Sequence, residues 1–204
     1  VWAAYFVSLA TLGLALAPSL PPELRRRLYA TAGILAVAIA AFFALSLENK
    51  LVVYSAARNA GETIEMDLRL KLWPIAGRAI ADRPLAGHGF GRNVIEPRFR
   101  AEIGDADGKE FAAHGHNLFL NTTVSLGVAG LLALCALLAA LGFAHARNLA
   151  RPATRLAGAI GLALLAGFVA KNLTDDFFNR HNALVFWALN GMLIGLGSRA
   201  ESSS

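Results

Sequence analysis

The sequence predicts an all-α integral membrane protein, a polytopic helical bundle with one large, mainly helical loop on its outer side. Three observations carry this. Of the 204 residues, 56% are hydrophobic and 16% charged, with a mean hydropathy of +0.50, well above a soluble domain. Apolar runs close to the ~20 helical residues that cross a ~30 Å hydrocarbon core recur along the chain. Basic clusters flank these runs at alternate connections, so the formal charge of +5 reads as a topology signal and not as a nucleic-acid footprint.

Five spans follow in order: Val1 to about Ala17, Leu28 to Leu47, Leu118 to Ala144, Leu156 to Ala170 and Ala183 to Gly197. The first begins without a basic lead-in, which does not resemble a signal peptide, and the chain reads as a C-terminal fragment of a longer protein. The last two are short enough to be thin, tilted or partly buried. The connections PPELRRR (21–27) and HARNLARPATR (145–155), with Arg199 after the last span, are basic and therefore cytoplasmic. Residues 48–116 and the short DDFFNRHN (175–182) then lie outside, which in a bacterium is the periplasm. The chain divides into two spans (1–47), a periplasmic loop (48–116) and three spans (117–204).

Basic and acidic residues balance in the long loop. Ile64, Leu68, Leu72, Ile75, Ala79 and Ile80 recur there at helical spacing, with Glu65–Arg69 and Asp67–Lys71 as i,i+4 pairs on the other side. This predicts an amphipathic helix, kinked or restarted at Pro74 and ended by Pro84. Arg69, Arg78, Arg83, Arg92, Arg98 and Arg100 supply guanidinium groups suited to phosphate. Each can equally pair with a nearby acid, Arg69 with Glu65 and Arg78 with Asp82. Gly87, Gly89 and Gly91 form a flexible turn, but a dinucleotide fingerprint would need glycine at 92 and a preceding buried strand.

The third span opens unusually, with HGHNLFLNTTVSLGVAG at 114–130. Asn117 is placed to cap the helix, and Asn117, Asn121 and Ser125 repeat at i+4 as one polar stripe, which in a span should face protein or a wet cavity. Gly127 and Gly130 permit close helix packing. His116 stands at the helix end that favours anions, although His114 and His116 also fit plain interfacial side chains. A cation on Asp105 and Asp107, or zinc on His88, His114 and His116, is less usual for such patterns than an acidic turn and scattered interfacial histidines. Asp175, Asp176, Arg180 and His181 either meet the long loop across the top of the bundle or anchor the span ends. Lys171 snorkels from its span, and Cys135, the single cysteine, reads as a small core filler.

At these residues the chain resembles the O-antigen ligase and polymerase family of envelope glycosyltransferases, over roughly 60–198. Arg69 and Trp73, then Pro84, Gly87 and Gly89, are similar to that family's R-x-x-x-W and P-x-x-G-x-G. His116-Asn117, nine residues, Gly127, two residues and Gly130 resemble its H-[NSQ]-x9-G-x-x-[GTY] motif, with every position filled. The resemblance implies a GT-C type fold in the bacterial inner membrane, the periplasmic loop covering the site. It implies metal-independent, inverting transfer of polysaccharide from undecaprenyl diphosphate to the lipid A core oligosaccharide, with no cofactor. His116 would take the proton of the attacking hydroxyl, and Arg69, helped by Arg78 or Arg92, would grip the diphosphate. Asn117, His114 and Arg180 complete the substrate-binding candidates. A polymerase that joins repeat units on the lipid carrier is the alternative within the family. A small-anion transporter is the alternative from another class, against which the confident spans lack midplane charges; a structural membrane subunit would tolerate substitution of the loop arginines.

Overall fold

A computed structural model describes residues 2–34, 36–38, 41, 65–91, 94–103, 115–173, 175–176, 178 and 180–202. Among them secondary structure is helical throughout, with no strand. Helix α1 (Trp2–Leu16) runs into a 3-10 turn at Ala17–Ser19, where Pro18 halts the α-helical ladder, and residues 22–34 are again helical. The outer loop contributes α2 (Glu65–Asp82) and the short α3 (Glu96–Ile103). Three long helices follow: α4 (Leu118–Ala150), α5 (Arg155–Asn172) and α6 (Arg180–Ser202).

By length and composition, Leu118–Ala150 and Pro152–Asn172 are long and apolar enough to cross a membrane, while Ala4–Ser19 is apolar but shorter. The fifth expected span lies inside α6, which carries Asn182 and Asn190 within its apolar run. The second, Leu28 to Leu47, is described only in part, residues 35, 39–40 and 42–47 falling outside the described residues.

α5 is the centre of the bundle, packed on α1, α4 and α6. Its buried Gly158, Ala159, Gly161, Ala163 and Gly167 let neighbouring backbones come close. At its far end from the loop, the expected connection 145–155 is helical as far as Ala150. The reason is that its polar residues are inside: His145 and Asn148 are buried, His145 Nε2 lies 2.8 Å from Asn190 Oδ1, and the Thr154 hydroxyl donates to Asn148 O at 2.8 Å. Cys135 departs from its expected role too, lying on an exposed face of α4.

α2 confirms the amphipathic reading where its side chains are described. Leu72, Ile75, Ala76 and Ala79 bury one stripe against Ile95 in the turn before α3, Phe99 of α3 and Val124 of α4, each large apolar side chain contributing about 1.5–3 kcal/mol. The helix runs through Pro74, at the loss of one ladder hydrogen bond, and stops at Asp82 because Pro84 restricts the residue before it. The His88 ring, with Nε2 2.7 Å from Ala79 O, donates to a carbonyl of the last turn that also accepts from Arg83 N–H at 3.3 Å.

Candidate active site

The two motif segments interlock. Gly127 interrupts α4 with φ 67° and ψ −169°, a region essentially reserved for glycine. A broken helix leaves backbone groups that must find partners, most of all in a span. The turn after α2 supplies them. His88 N–H donates to Val124 O at 2.9 Å, Gly89 N–H to Ser125 O at 3.0 Å, and Val128 N–H to Pro84 O at 2.7 Å. The fit requires two bare α-carbons facing each other's chains: a Cβ on Gly87 would stand 2.4 Å from Ser125 O, and one on Gly127 2.1 Å from Leu85 O. Gly127 thus serves loop docking and not the helix–helix packing expected of it.

Above this joint sits His116, 8% exposed, with φ 48°, a left-handed conformation that costs a non-glycine residue roughly 1–2 kcal/mol. Its neighbours are fastened on both sides. Trp73 Nε1–H donates to Gly115 O at 2.9 Å and Gly115 N–H to Asn121 Oδ1 at 2.8 Å. Asn117 caps α4 by accepting from Leu120 N–H at 3.0 Å and donates to Leu173 O at 2.9 Å. The polar stripe therefore faces protein: Asn121 Nδ2 donates to Asp176 Oδ2 at 2.9 Å, and the Ser125 hydroxyl lies 3.4 Å from Gly91 O.

The second outer loop meets the same point. His116 Nδ1 is 3.6 Å from Asp175 Oδ1, a charge-pairing distance and not a hydrogen bond. Asp175 Oδ2 takes a hydrogen bond from Lys171 Nζ at 2.5 Å, and its Oδ1 one from Asp176 N–H at 2.9 Å. Burial pushes the Asp175 carboxyl up, but the Lys171 hydrogen bond and charge, the Asp176 N–H and the His116 charge outweigh it and hold it below the usual carboxylate range. Beside these groups opens a cavity of about 790 Å³ lined by Phe90, Asn121, Thr122, Asp176, Phe178 and His181 among others. Phe90, at its mouth, is 91% exposed.

The arginines divide. Arg69 lies on α2 one turn before Trp73, its side chain outside the described residues. Arg78 pairs with Glu102 of α3 and not with Asp82, which accepts from Arg98 Nη1 at 2.6 Å. That hydrogen bond, assisted by the charges of Arg98 and His88, overcomes partial desolvation and holds the Asp82 carboxyl low, while Arg98 is raised chiefly by the same bond. Arg100 Nη2 reaches Glu96 at 2.5 Å. Arg92, His114, Asp105 and Asp107 lie outside the described residues, as does the side chain of Arg180, which opens α6. Among the described residues no group of three His, Cys, Asp or Glu is placed to hold a metal ion. Asp175 and Asp176 reach the site although the sequence left them between two roles; the acidic pair at a span end was the available signal.

Comparison with known families finds one described as O-Antigen ligase, whose model matches residues 1–135. That range contains both motif segments, from Arg69 to Gly89 and from His116 to Gly130. A search of curated proteins finds no match.

Proposed function

Given that the chain belongs to the O-antigen ligase family, a membrane-embedded family of glycosyl-transfer enzymes, we propose that it moves a polysaccharide from undecaprenyl diphosphate onto the lipid A core at the periplasmic face of the inner membrane. The observation that carries the reading is His116, held in a strained backbone at the head of a span, with the Asp175 carboxylate 3.6 Å away and a mixed polar and aromatic cavity alongside. Strain and paired titratable groups beside a cavity mark functional sites.

In this mechanism the acceptor hydroxyl oxygen attacks the anomeric carbon of the donor sugar from the face opposite the phosphate. The bond from that carbon to the phosphate oxygen breaks, and its electron pair departs with undecaprenyl diphosphate, so the configuration inverts. His116 takes the hydroxyl proton, and Asp175 offsets the positive charge the ring then carries. Arg69, with Arg78 or Arg92, and the amino end of α4 hold the charge growing on the diphosphate without a metal. Arg78 joins by exchanging Glu102 for phosphate, a small loss because exposed ion pairs contribute little. Asn117, His114 and Arg180 act as further substrate contacts. Phe90 and Phe178 offer ring faces, and Asp176, Asn121 and Thr122 offer hydrogen-bonding groups, to the sugar at the transfer point. An apolar cavity of about 350 Å³ between α1, α5 and α6, with Lys171 among its lining, is suited to an isoprenoid segment.

The test is expression of the full-length protein in a ligase-deficient Gram-negative strain with a compatible core. Polymer attached to lipid A core supports the ligase reading. Lengthened carrier-linked polymer assigns the protein to polymerisation, and neither product, with membrane insertion verified, removes both.

A further inference from the structure

We propose that Trp73 is a positioning residue for His116, a role that rests on His116 being the proton acceptor. Its indole Nε1–H donates to Gly115 O at 2.9 Å, across 42 residues of sequence. That carbonyl belongs to the peptide plane that also contains the His116 nitrogen, so its direction sets the rotation about the His116 N–Cα bond. The bond stands at φ 48°, where a side chain other than glycine persists only if its surroundings over-determine it.

The restraints are complete on either side. Gly115 is fixed at its N–H by Asn121 Oδ1 at 2.8 Å and at its carbonyl by Trp73. The residue after His116 is fixed by the Asn117 cap. Removing the indole donor leaves the carbonyl half of the Gly115 restraint empty, and the peptide plane before His116 is then free to turn toward an ordinary φ, carrying the imidazole away from Asp175.

Packing does not account for Trp73. It is 38% exposed, while Leu72, Ile75, Ala76 and Ala79 of the same helix fill the core, and the turn after α2 is already joined to α4 by the three hydrogen bonds around Gly127. Trp73 also lies one turn after Arg69 on α2, so a single helix carries the candidate diphosphate grip and the tie to the proton acceptor.

The experiment compares wild type, Trp73→Phe and His116→Ala as purified full-length proteins, with lipid-linked polysaccharide donor and core acceptor. Phenylalanine keeps the ring and removes the donor. The expected result is a kcat about 10- to 100-fold lower for Trp73→Phe, the loss that ~1 Å of misplacement produces, with both KM values within about two-fold of wild type and a melting temperature within about 4 °C of it, the shift that one lost hydrogen bond produces. Wild-type kcat in Trp73→Phe, with His116→Ala inactive, overturns the positioning role and leaves the His116 reading standing. A rise in KM matching the loss, or a melting temperature lowered by more than about 4 °C, overturns it in favour of substrate contact or packing. An active His116→Ala instead removes the reading on which the proposal rests.

Discussion

Replacing Gly127 by alanine should unseat the outer loop. The new methyl would meet Leu85 O at 2.1 Å, Leu85 C at 2.3 Å and Ala86 N at 2.7 Å, all backbone atoms that cannot rotate aside. Its backbone conformation alone costs alanine about 1–3 kcal/mol. Withdrawal of the loop relieves the clash but breaks three hydrogen bonds, each with a net value of about 1 kcal/mol. Forced out by the methyl, the loop gives up what those bonds contribute to docking, about 3 kcal/mol in all. With 1.4 kcal/mol per factor of ten, protection of the His88, Gly89 and Val128 amides should fall by about 10²-fold, or to the unstructured limit if that comes first. Hydrogen exchange of the purified protein in detergent, followed by mass spectrometry of peptides spanning 84–91 and 124–130, reads this directly. Gly77→Ala is the control: nothing lies within 4 Å of its added methyl, so the loop should remain protected and the helix gain up to about 1 kcal/mol. Unchanged protection at His88 and Gly89 in Gly127→Ala would refute the interlock.

Asp175 is held below its usual range, so its contribution is complete above the ordinary carboxylate pKa of about 4 and is lost as pH falls through the lowered value. The melting-temperature gap between wild type and Asp175→Asn should therefore stay constant from about pH 8 to about pH 5 and close only below about pH 4; a gap that closes near neutrality contradicts this. Asn190→Ala strips the partner from the buried His145 ring and should cost about 1–3 kcal/mol. A lowered melting temperature with unchanged specific activity of the folded protein is expected, and a selective loss of activity would place that cluster in the chemistry instead.

Local chemistry made much of this legible. The apolar periods locate α1, α2 and α4 to α6, Asn117 announces its cap, and the stripe through Asn121 and Ser125 announces that this face meets protein. What escaped was set by distant partners. The break at Gly127 exists because residues 84–89 fill it, and no local feature of α4 says so. Arg78 and Asp82 change partners because α3, too short for a hydrophobic period to mark, brings Glu102 and Arg98 alongside. HARNLARPATR reads as a loop by composition, yet His145 and Asn148 face inward because α6 supplies their hydrogen-bond partners.

The central claim is that His116 accepts the proton in glycosyl transfer. The direct measurement is single-turnover transfer by purified full-length wild type and His116→Gln, with donor binding and melting temperature recorded for both. The account predicts a loss of about 10²–10⁴-fold in the transfer step with donor binding and folding retained. Transfer by His116→Gln at the wild-type rate would contradict it and leave the side chain only a structural role at the head of α4.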